Sequence, residues 1–322
     1  MPKITYSEQS YECRADESVL ECLTRHGVEL SSSCHAGVCQ SCMCRATDGT
    51  PPADAQKGLK PQLQQQGYFL ACVCTPSEDL TVTQADDSAM PHVSATLIDK
   101  TALKPSIMRL RLKPEAEFEF RAGQFINLHR DDGLIRSYSI ASLPQDGYIE
   151  LHVEHIQDGK MSNWLHDEVA VGDKLNIDGP HGECFYIDSQ PEQNLLLVGT
   201  GTGLAPLLGV IRDALANKHS GELHLFHGSH SSEKLYLIDE LTQLAAEHAN
   251  VFYTPCVSGP DNEGFSAGRA NDVALTQLPK LDGWRVYLCG HPEMVNGTKK
   301  KAFLAGASFN DIHADPFTFS PS

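Results

Sequence analysis

The sequence contains no uninterrupted apolar run long enough to cross a membrane. Its most apolar stretch, from about Asn194 to Ile211, is broken by glycines and a proline, whereas a spanning helix needs about 20 mostly apolar residues. The opening residues Met1 to Tyr6 also lack the apolar segment of a secretion signal. We therefore expect a cytoplasmic protein that does not enter a membrane.

Basic side chains are scarce as well. The 322 residues include 25 lysines and arginines against 42 aspartates and glutamates, which gives a net charge of −17 at pH 7. A surface of this sign repels the phosphates of nucleic acids and favours a partner with a basic patch. Internal repeats and low-complexity tracts are also missing. We therefore exclude nucleic acid as a ligand and expect a protein partner.

Cysteine, by contrast, is abundant: most of the eleven cysteines crowd into the first quarter of the chain. Without a secretion signal, metal ligation explains them better than a disulfide scaffold does. Cys34, Cys39 and Cys42 stand at C-x4-C-x2-C spacing, and 29 residues separate Cys42 from Cys72. Three thiolates in one loop plus one distant thiolate are typical of a plant-type 2Fe-2S cluster.

A structural zinc site is the alternative interpretation of these cysteines. Its ligands would be two pairs, Cys39 with Cys42 and Cys72 with Cys74. Such a site would leave Cys34 without a role, and this favours the iron-sulfur interpretation. The remaining thiols nearby, Cys44 and Cys74, are then expected to be packed free cysteines.

The first 88 residues have the pattern of a small α+β unit. Short alternating strands are predicted at the start of the chain and at Leu80 to Thr83. Between them we predict a helix from Ser18 to Arg25, which Asp16 can cap and Gly27 can end. A polar run at residues 84–88 is predicted to be a linker.

Beyond the linker the apolar pattern changes twice. Period-2 alternation, clearest at Ile149 to Glu154 with apolar residues on one face, predicts a small antiparallel barrel. From Asn194 onward, short apolar strands alternate with helical stretches such as Lys234 to His248, and this predicts a parallel sheet covered by helices. We therefore predict three domains, at residues 1–88, 89–187 and 188–322.

The barrel region contains Arg136-Ser137-Tyr138-Ser139, shortly after a Gly123-Gln124-Phe125 turn. This stretch resembles the R-x-Y-S motif of the ferredoxin-NADP reductase superfamily. FAD needs a cation for its pyrophosphate, an aromatic ring against its ring system and a small hydroxyl residue at its reactive edge. The resemblance assigns these roles to Arg136, Tyr138 and Ser139 in that order.

Two further stretches support this resemblance. Gly159-Lys160-Met161-Ser162 is similar to the second flavin motif of the superfamily, in which backbone N–H groups at a helix start receive the pyrophosphate. Gly179-Pro180-His181-Gly182 matches the G-P-x-G turn that precedes the nucleotide domain. The barrel is therefore expected to bind FAD.

The loop Gly199-Thr200-Gly201-Thr202-Gly203 follows an apolar strand directly. It lacks the third glycine of the dinucleotide fingerprint, since position 204 is Leu, and it lacks the Gly-Lys-Ser/Thr of a phosphate loop. It resembles instead the G-T-G-x-A-P loop of the superfamily, which receives the nicotinamide nucleotide.

Two resemblances near the C-terminus concern hydride transfer. Cys289-Gly290-His291-Pro292-Glu293-Met294 is similar to the C-G-x-P-x-M segment of the superfamily, which implies that Cys289 lies beside the nicotinamide and that Gly290 belongs to the same site. Phe317 matches the aromatic residue that covers the flavin in relatives.

The resemblance covers essentially the whole chain and has the domain order of the reductase components of bacterial ring-hydroxylating oxygenases of the benzoate dioxygenase type. It implies an α+β (β-grasp) ferredoxin domain, a flavin barrel and a nucleotide domain. Hydride from NAD(P)H would pass to FAD, which takes two electrons together and releases them singly to the cluster. The acceptor would be a separate protein, in the first place a terminal oxygenase, and the reductase itself a monomer.

Three points remain open at this stage. NADH is the expected donor, because Gly228-Ser229-His230 offers a mostly neutral histidine where NADPH users carry an arginine. The acceptor could instead be a deoxysugar dehydratase or another protein. The second alternative is a flavoprotein with a structural zinc module that passes no electrons through its cysteines.

Overall fold

The computed structural model describes residues 1–85 and 92–318, which form three sheets in chain order. The first is a five-stranded sheet made of β1 (Lys3–Tyr6), β2 (Gln9–Glu12), β3 (Met43–Asp48), β4 (Tyr68–Leu70) and β5 (Leu80–Gln84). Their spatial order is β2-β1-β5-β3-β4, and β1 and β5 run parallel. Helices α1 (Val19–Arg25) and α2 (Pro61–Gln65) complete the predicted α+β domain. Most of the predicted linker, residues 86–88, lies outside the described residues.

Helix α1 begins after Ser18, so the prediction that Asp16 caps it is wrong. Ser18 Oγ accepts a 3.2 Å hydrogen bond from Glu21 N, and the Glu21 carboxylate accepts a 2.8 Å bond from Ser18 N. This reciprocal capping box satisfies two backbone donors at once, which a cap at Asp16 would not do. Gly27, with φ +80°, ends the helix as predicted.

The second domain is an antiparallel barrel, as predicted. Its strands are β6 (Val93–Lys104), β7 (Ile107–Pro114), β8 (Phe125–His129), β9 (Ile135–Ser139), β10 (Ile149–Glu154) and β11 (Lys174–His181), and the one-turn helix α3 (Lys160–Asn163) follows β10. The spatial order is β10-β7-β6-β11-β8-β9. A bridge between Ile140 and Leu151 joins the two ends and closes the barrel.

Strand β10 has apolar residues on one face only, as predicted, but both of its faces are buried. Glu150 and His152 are also buried, because both find partners outside their own strand. Glu150 pairs with Arg111 at 2.8 Å, and His152 Nδ1 lies 3.0 Å from the hydroxyl of Tyr236 in the third domain. The side of the barrel that was predicted to be polar is therefore an interface.

The third domain is a parallel sheet with helices on both faces, as predicted. Its strands are β12 (Leu195–Thr200), β13 (Leu223–Ser229), β14 (Val251–Val257), β15 (Ser266–Ala267), β16 (Arg285–Gly290) and β17 (Ile312–Pro316), in the spatial order β15-β14-β13-β12-β16-β17. The helices are α4 (Leu204–Ala216), α5 (Ile238–Glu247), α6 (Ala270–Gln277) and α7 (Pro292–Leu304). Helix α5 starts later than predicted, because Ser232–Lys234 form a separate 3₁₀ turn. Within the described residues, no helix combines the length and the apolar character needed to span a membrane.

Candidate functional site

A cavity of about 1210 Å³ opens where the three domains meet. Its walls come from the loop around Cys34, from β9, from the turn before α3, from the nucleotide loop and from the segment after β17. Ten predicted site residues line it: Cys34, Arg136, Tyr138, Ser139, Gly159, Lys160, Met161, Ser162, Thr202 and Phe317. The fold thus brings the cluster loop, both flavin motifs, the nucleotide loop and Phe317 to one place, whereas Cys289 and Gly290 do not line the cavity.

The four predicted metal ligands form two couples. They are Cys34 with Cys39, and Cys42 with Cys72; within each couple the side chain of one cysteine lowers the pKa of one thiol and raises that of the other. Within the described residues, three potential ligand atoms converge only elsewhere, at Cys13, Glu17 and Cys22. The four sulfurs therefore do not surround a single point, as four zinc ligands would. Two couples suit two irons that share four thiolates.

Backbone N–H groups point at the sulfurs of the cluster loop. The amides of Ala36 and Cys39 each lie 3.4 Å from Cys34 Sγ. The neighbouring Cys39 thiol first, and these backbone donors next, lower the pKa of Cys34 to about 5. Gln40 takes the left-handed conformation, with φ +60°, that glycine adopts without strain. The loop is therefore shaped to hold thiolates, and it accepts a non-glycine residue in a left-handed conformation.

Cys44 and Cys74 lie in the hydrophobic core of the first domain. Burial raises the pKa of each thiol to about 12, so both stay protonated at pH 7. Cys72, in contrast, is partly exposed and its pKa is lowered, first of all by the hydrogen bond from Cys42. This contrast supports Cys72, and not Cys74, as the fourth ligand.

Strand β9, which carries the R-x-Y-S motif, touches the loop that precedes the cluster cysteines. Ser137 N donates a 3.2 Å hydrogen bond to Ser33 Oγ, and the Arg136 guanidinium donates one of 3.2 Å to Ser32 O. From the other side, Thr318 Oγ1 donates a 2.8 Å bond to Ser33 O. The cluster loop is thus held between the flavin motif and the C-terminal segment.

Asn127 on β8 lies fully buried beneath this contact. Its Nδ2 donates to Cys39 O at 2.7 Å and to Asp178 Oδ1 at 3.0 Å, and its Oδ1 accepts a 2.8 Å bond from Ser137 Oγ. Asp178 in turn is hydrogen-bonded to His181 Nε2 at 2.6 Å. A buried polar network with its partners satisfied fixes one arrangement of the groups that it joins.

Arg136 and Tyr138 present complementary chemistry to the cavity. Burial lowers the pKa of Arg136, although a guanidinium remains charged in proteins, and it raises the pKa of Tyr138, so the phenol is neutral. A half-buried guanidinium suits a pyrophosphate, and a neutral aromatic ring suits the face of a flat ring system. These residues therefore fit FAD.

The turn at Gly159 is closed by Ser162. Ser162 Oγ accepts from Ile156 N at 3.1 Å and donates to Gly159 O at 3.2 Å. A Cβ at position 159 would lie 2.5 Å from this hydroxyl oxygen, so glycine is needed here. Because the Ser162 hydroxyl is committed to the turn, an anion at this end of the cavity would meet the backbone N–H groups around Lys160.

The nucleotide loop packs directly against the end of β16. A Cβ at Gly203 would lie 2.3 Å from Cys289 O, and one at Gly290 would lie 2.5 Å from Thr200 Oγ1. Gly199 and Gly201 complete this loop at the carboxyl end of β12. The carboxyl edge of a parallel sheet is where dinucleotides bind. The two predicted nucleotide motifs are therefore parts of one surface.

Cys289 is fully buried, with its Sγ 3.3 Å from Cys184 Sγ. Burial raises the pKa of Cys289 well above its ordinary value, so it is a neutral thiol. Cys289 does not line the cavity itself. Phe317 does line it, and its backbone N donates a 2.8 Å hydrogen bond to Gly290 O.

Asp315 is a site residue that the sequence motifs did not indicate. It lines the cavity on β17, directly beside Cys289 on β16, and accepts a 3.2 Å hydrogen bond from Ser139 Oγ. Loss of contact with water raises the pKa of Asp315 to about 6. The sequence signal that could have indicated Asp315 is its place in the strand Ile312–Pro316, two positions before Phe317.

Comparison with known families gives one match for each domain. A 2Fe-2S iron-sulfur cluster binding domain matches residues 3–77, an oxidoreductase FAD-binding domain matches residues 94–186, and an oxidoreductase NAD-binding domain matches residues 197–300. The matches confirm the predicted cofactors and remove the zinc alternative for the cysteine loop.

Relatives match nearly the full length of the chain. The ferredoxin–NAD(P)+ reductase component of the naphthalene 1,2-dioxygenase system of Pseudomonas putida is 34% identical over 310 residues, 94% of each chain. The phenol hydroxylase P5 protein of Acinetobacter pittii is 30% identical, over 95% of this chain and 91% of that protein. The crystal structure of the Amycolatopsis cytochrome P450 reductase GcoB has a TM-score of 0.70 at 28% identity and covers 98% of this chain and 99% of its own. The chain therefore belongs to the ferredoxin-NAD(P)H reductase superfamily, as an oxidoreductase that carries electrons from NAD(P)H through FAD to a 2Fe-2S cluster.

Proposed function

We propose that this reductase takes its electrons from NADH and delivers them singly to a separate protein of an oxygenase system, in the first place a terminal oxygenase. The observation that carries the electron path is the shared cavity, whose walls include Cys34, Tyr138 and Thr202. Since these residues belong to the cluster loop, the flavin motif and the nucleotide loop, no large rearrangement is needed to bring the three cofactors together.

In this proposal the flavin motif residues bind and orient FAD, which supplies the exchange between two-electron and one-electron chemistry. Arg136 and the backbone around Lys160 hold the pyrophosphate, and Tyr138 packs on the ring system. Ser139 and Asp315 would line the place of hydride transfer and Phe317 would cover it, while the neutral thiol of Cys289 lies behind this surface on the strand beside Asp315. The hydrogen bond from Ser139 to Asp315 fixes both side chains before the nucleotide arrives.

The cluster is held by Cys34, Cys39, Cys42 and Cys72. We also propose the three domain limits predicted above, at residues 1–88, 89–187 and 188–322. A reducing compartment such as the cytoplasm suits the eleven cysteines, none of which forms a disulfide bond. We further propose that the protein acts as a monomer.

Support for an oxygenase as acceptor comes from the names of the relatives, which include reductase components of naphthalene and terephthalate 1,2-dioxygenases. The acidic surface of the first domain also suits a short-lived complex with a basic partner.

The test begins with the purified protein, which should contain about one FAD and two irons per chain, and whose flavin and cluster absorbance NADH should bleach. Candidate terminal oxygenases are then supplied with this reductase and NADH, and product formation is compared with that in reactions without the reductase. Zinc in place of iron would refute the electron path. Turnover with a sugar dehydratase but with no oxygenase would assign the protein to the alternative acceptor class.

A further inference from the structure

Beyond the glycine loop, the same edge of the third domain holds an unusual carboxylate contact. Ser232 donates two hydrogen bonds, from its backbone N and from its hydroxyl, to one oxygen of Asp261, both at 2.8 Å. Asp261 comes from the loop after β14, whereas Ser232 comes from the turn after β13. The Asp261 carboxylate therefore already occupies the two hydrogen-bond donors that Ser232 offers at the end of β13.

This contact is part of a fixed junction between the two loops. Ser258 N donates to Ser229 O at 3.0 Å, and Gly259 N donates to His230 O at 2.8 Å. A Cβ at Gly259 would lie 2.4 Å from His230 O, so the two backbones are in direct contact. Asp261 is thereby carried to the end of β13 by the backbone and not by its side chain alone.

The end of β13 has a defined place in nucleotide binding. Strand β13 lies next to β12 and follows it through α4, and Gly228 pairs with Thr200 of the glycine loop. In such a β-α-β unit the dinucleotide pyrophosphate sits at the first loop, and an acidic side chain at the end of the second strand bonds the ribose hydroxyls of the adenosine half. No Asp or Glu stands at residues 226–232. Glu233 follows in the turn after β13, and Asp261 is the carboxylate that the fold fixes there by hydrogen bonds to Ser232.

We propose that Asp261 determines nucleotide specificity, accepting hydrogen bonds from the adenosine ribose hydroxyls of NADH and repelling the 2′-phosphate of NADPH. This inference rests on the proposed function, because it concerns how the nicotinamide nucleotide binds to this reductase. It replaces His230 as the main determinant, which the sequence alone suggested.

The charges around Asp261 fit this role. Hydrogen bonds from the Ser232 backbone and hydroxyl, and the nearby His230, lower the pKa of Asp261, so it is ionised at pH 7. Lys234, a cation in the turn after β13, lies 3.8 Å from Glu154 of the barrel. The Asp261 carboxylate already occupies the hydrogen-bond donors of Ser232 and would repel a 2′-phosphate bound beside it. Lys234 could neutralise such a phosphate, but it faces Glu154 instead.

The experiment compares kcat/KM for NADH and NADPH, with ferricyanide as acceptor, in the holoprotein and in the variant Asp261→Asn. The amide retains the shape and removes the charge, so we expect the ratio of NADPH to NADH efficiency to rise at least about fivefold. Glu263→Gln is the matched control, because it removes an exposed carboxylate of the same loop, two residues away. Its ratio should change less than twofold.

A binding measurement makes the test independent of electron transfer. Adenosine 2′,5′-bisphosphate should inhibit Asp261→Asn more strongly than it inhibits the wild-type protein, whereas 5′-AMP should not gain affinity. Wild-type discrimination against NADPH should also weaken as salt screens the repulsion.

An unchanged ratio in Asp261→Asn, or an equal change in Glu263→Gln, would overturn the inference. Failure of the proposed function gives a different result, namely a wild-type protein that prefers NADPH or oxidises neither nucleotide.

Discussion

The side-chain amide of Asn127 donates a 2.7 Å hydrogen bond to the main-chain carbonyl of Cys39, and so ties the flavin barrel to the cluster loop. The same amide group is bonded to Asp178 and to Ser137, and it has no contact with solvent. A buried polar contact therefore holds the barrel and the cluster loop in one arrangement.

Replacing this amide should uncouple the cluster from the flavin. In Asn127→Ala the Cys39 carbonyl and the Asp178 carboxylate each lose a donor, which should cost about 1–3 kcal/mol in the free energy of unfolding. Loss of the fixed geometry should slow reduction of a one-electron protein acceptor about tenfold, while NADH-to-ferricyanide turnover is retained. Asn217→Ala, at the exposed end of α4, serves as the control. Equal loss of both activities would show that the contact acts on the fold alone.

The two cysteines after β4 should differ in their effect on iron content. Cys72→Ser should lose the cluster, because it breaks one of the two sulfur couples. Cys74→Ser should keep two irons per chain and lose only about 1–2 kcal/mol of stability, because it places a hydroxyl in the core. Iron analysis and visible absorbance measure both results, and the reverse pattern would make Cys74 the ligand.

The raised pKa of Asp315 predicts a pH-dependent stability. The folded state binds this proton more tightly than the unfolded chain does, so the contribution of Asp315 to stability is fully present below about pH 4 and is lost as the pH rises to about 6. Asp315→Asn should therefore raise the free energy of unfolding at pH 7.5 by about 1–2 kcal/mol, and much less at pH 5. Thermal unfolding at both pH values measures this, with Asp131→Asn, an exposed carboxyl, as control. Equal gains at both pH values would contradict the assignment.

The acidic surface of the first domain predicts salt-dependent delivery to the acceptor. Residues 1–88 contain twelve acidic and six basic side chains. Raising the salt concentration from roughly 0.05 to 0.5 M shortens the screening length severalfold, so the association rate with the acceptor protein should fall. Ferricyanide turnover corrects for salt effects on hydride transfer. A corrected rate that does not depend on salt would leave the acidic surface without a steering role.

Local motifs were predictable from the sequence because their chemistry is contained in a few consecutive residues. The spacing of Cys34, Cys39 and Cys42 identified the cluster loop, and the glycine loop identified the nucleotide edge. The strands were found for the same reason, since alternation and apolar runs are local properties.

Residues whose role depends on another domain were not predictable in this way. Asp315 meets Ser139 across 176 positions of sequence. Glu150 and His152 were expected on a polar face, but their partners, among them Tyr236, come from elsewhere in the chain. Asp261 reaches its position through a contact between the loops after β13 and β14. The spacing of residues in the sequence does not predict such a contact.

The hold on the cluster loop also implies an order of assembly. All four proposed ligand cysteines are synthesised before Asn127 and Ser137, and the contact from Thr318 to Ser33 comes from a residue synthesised nearly 250 positions after Cys72. Domains generally fold as units during synthesis, the N-terminal one first. The cluster loop can thus form while it is still open on both sides, is next covered by the barrel, and is contacted by Thr318 after that. We therefore expect iron and sulfide to reach the cluster loop most easily during synthesis, before the barrel and Thr318 cover it.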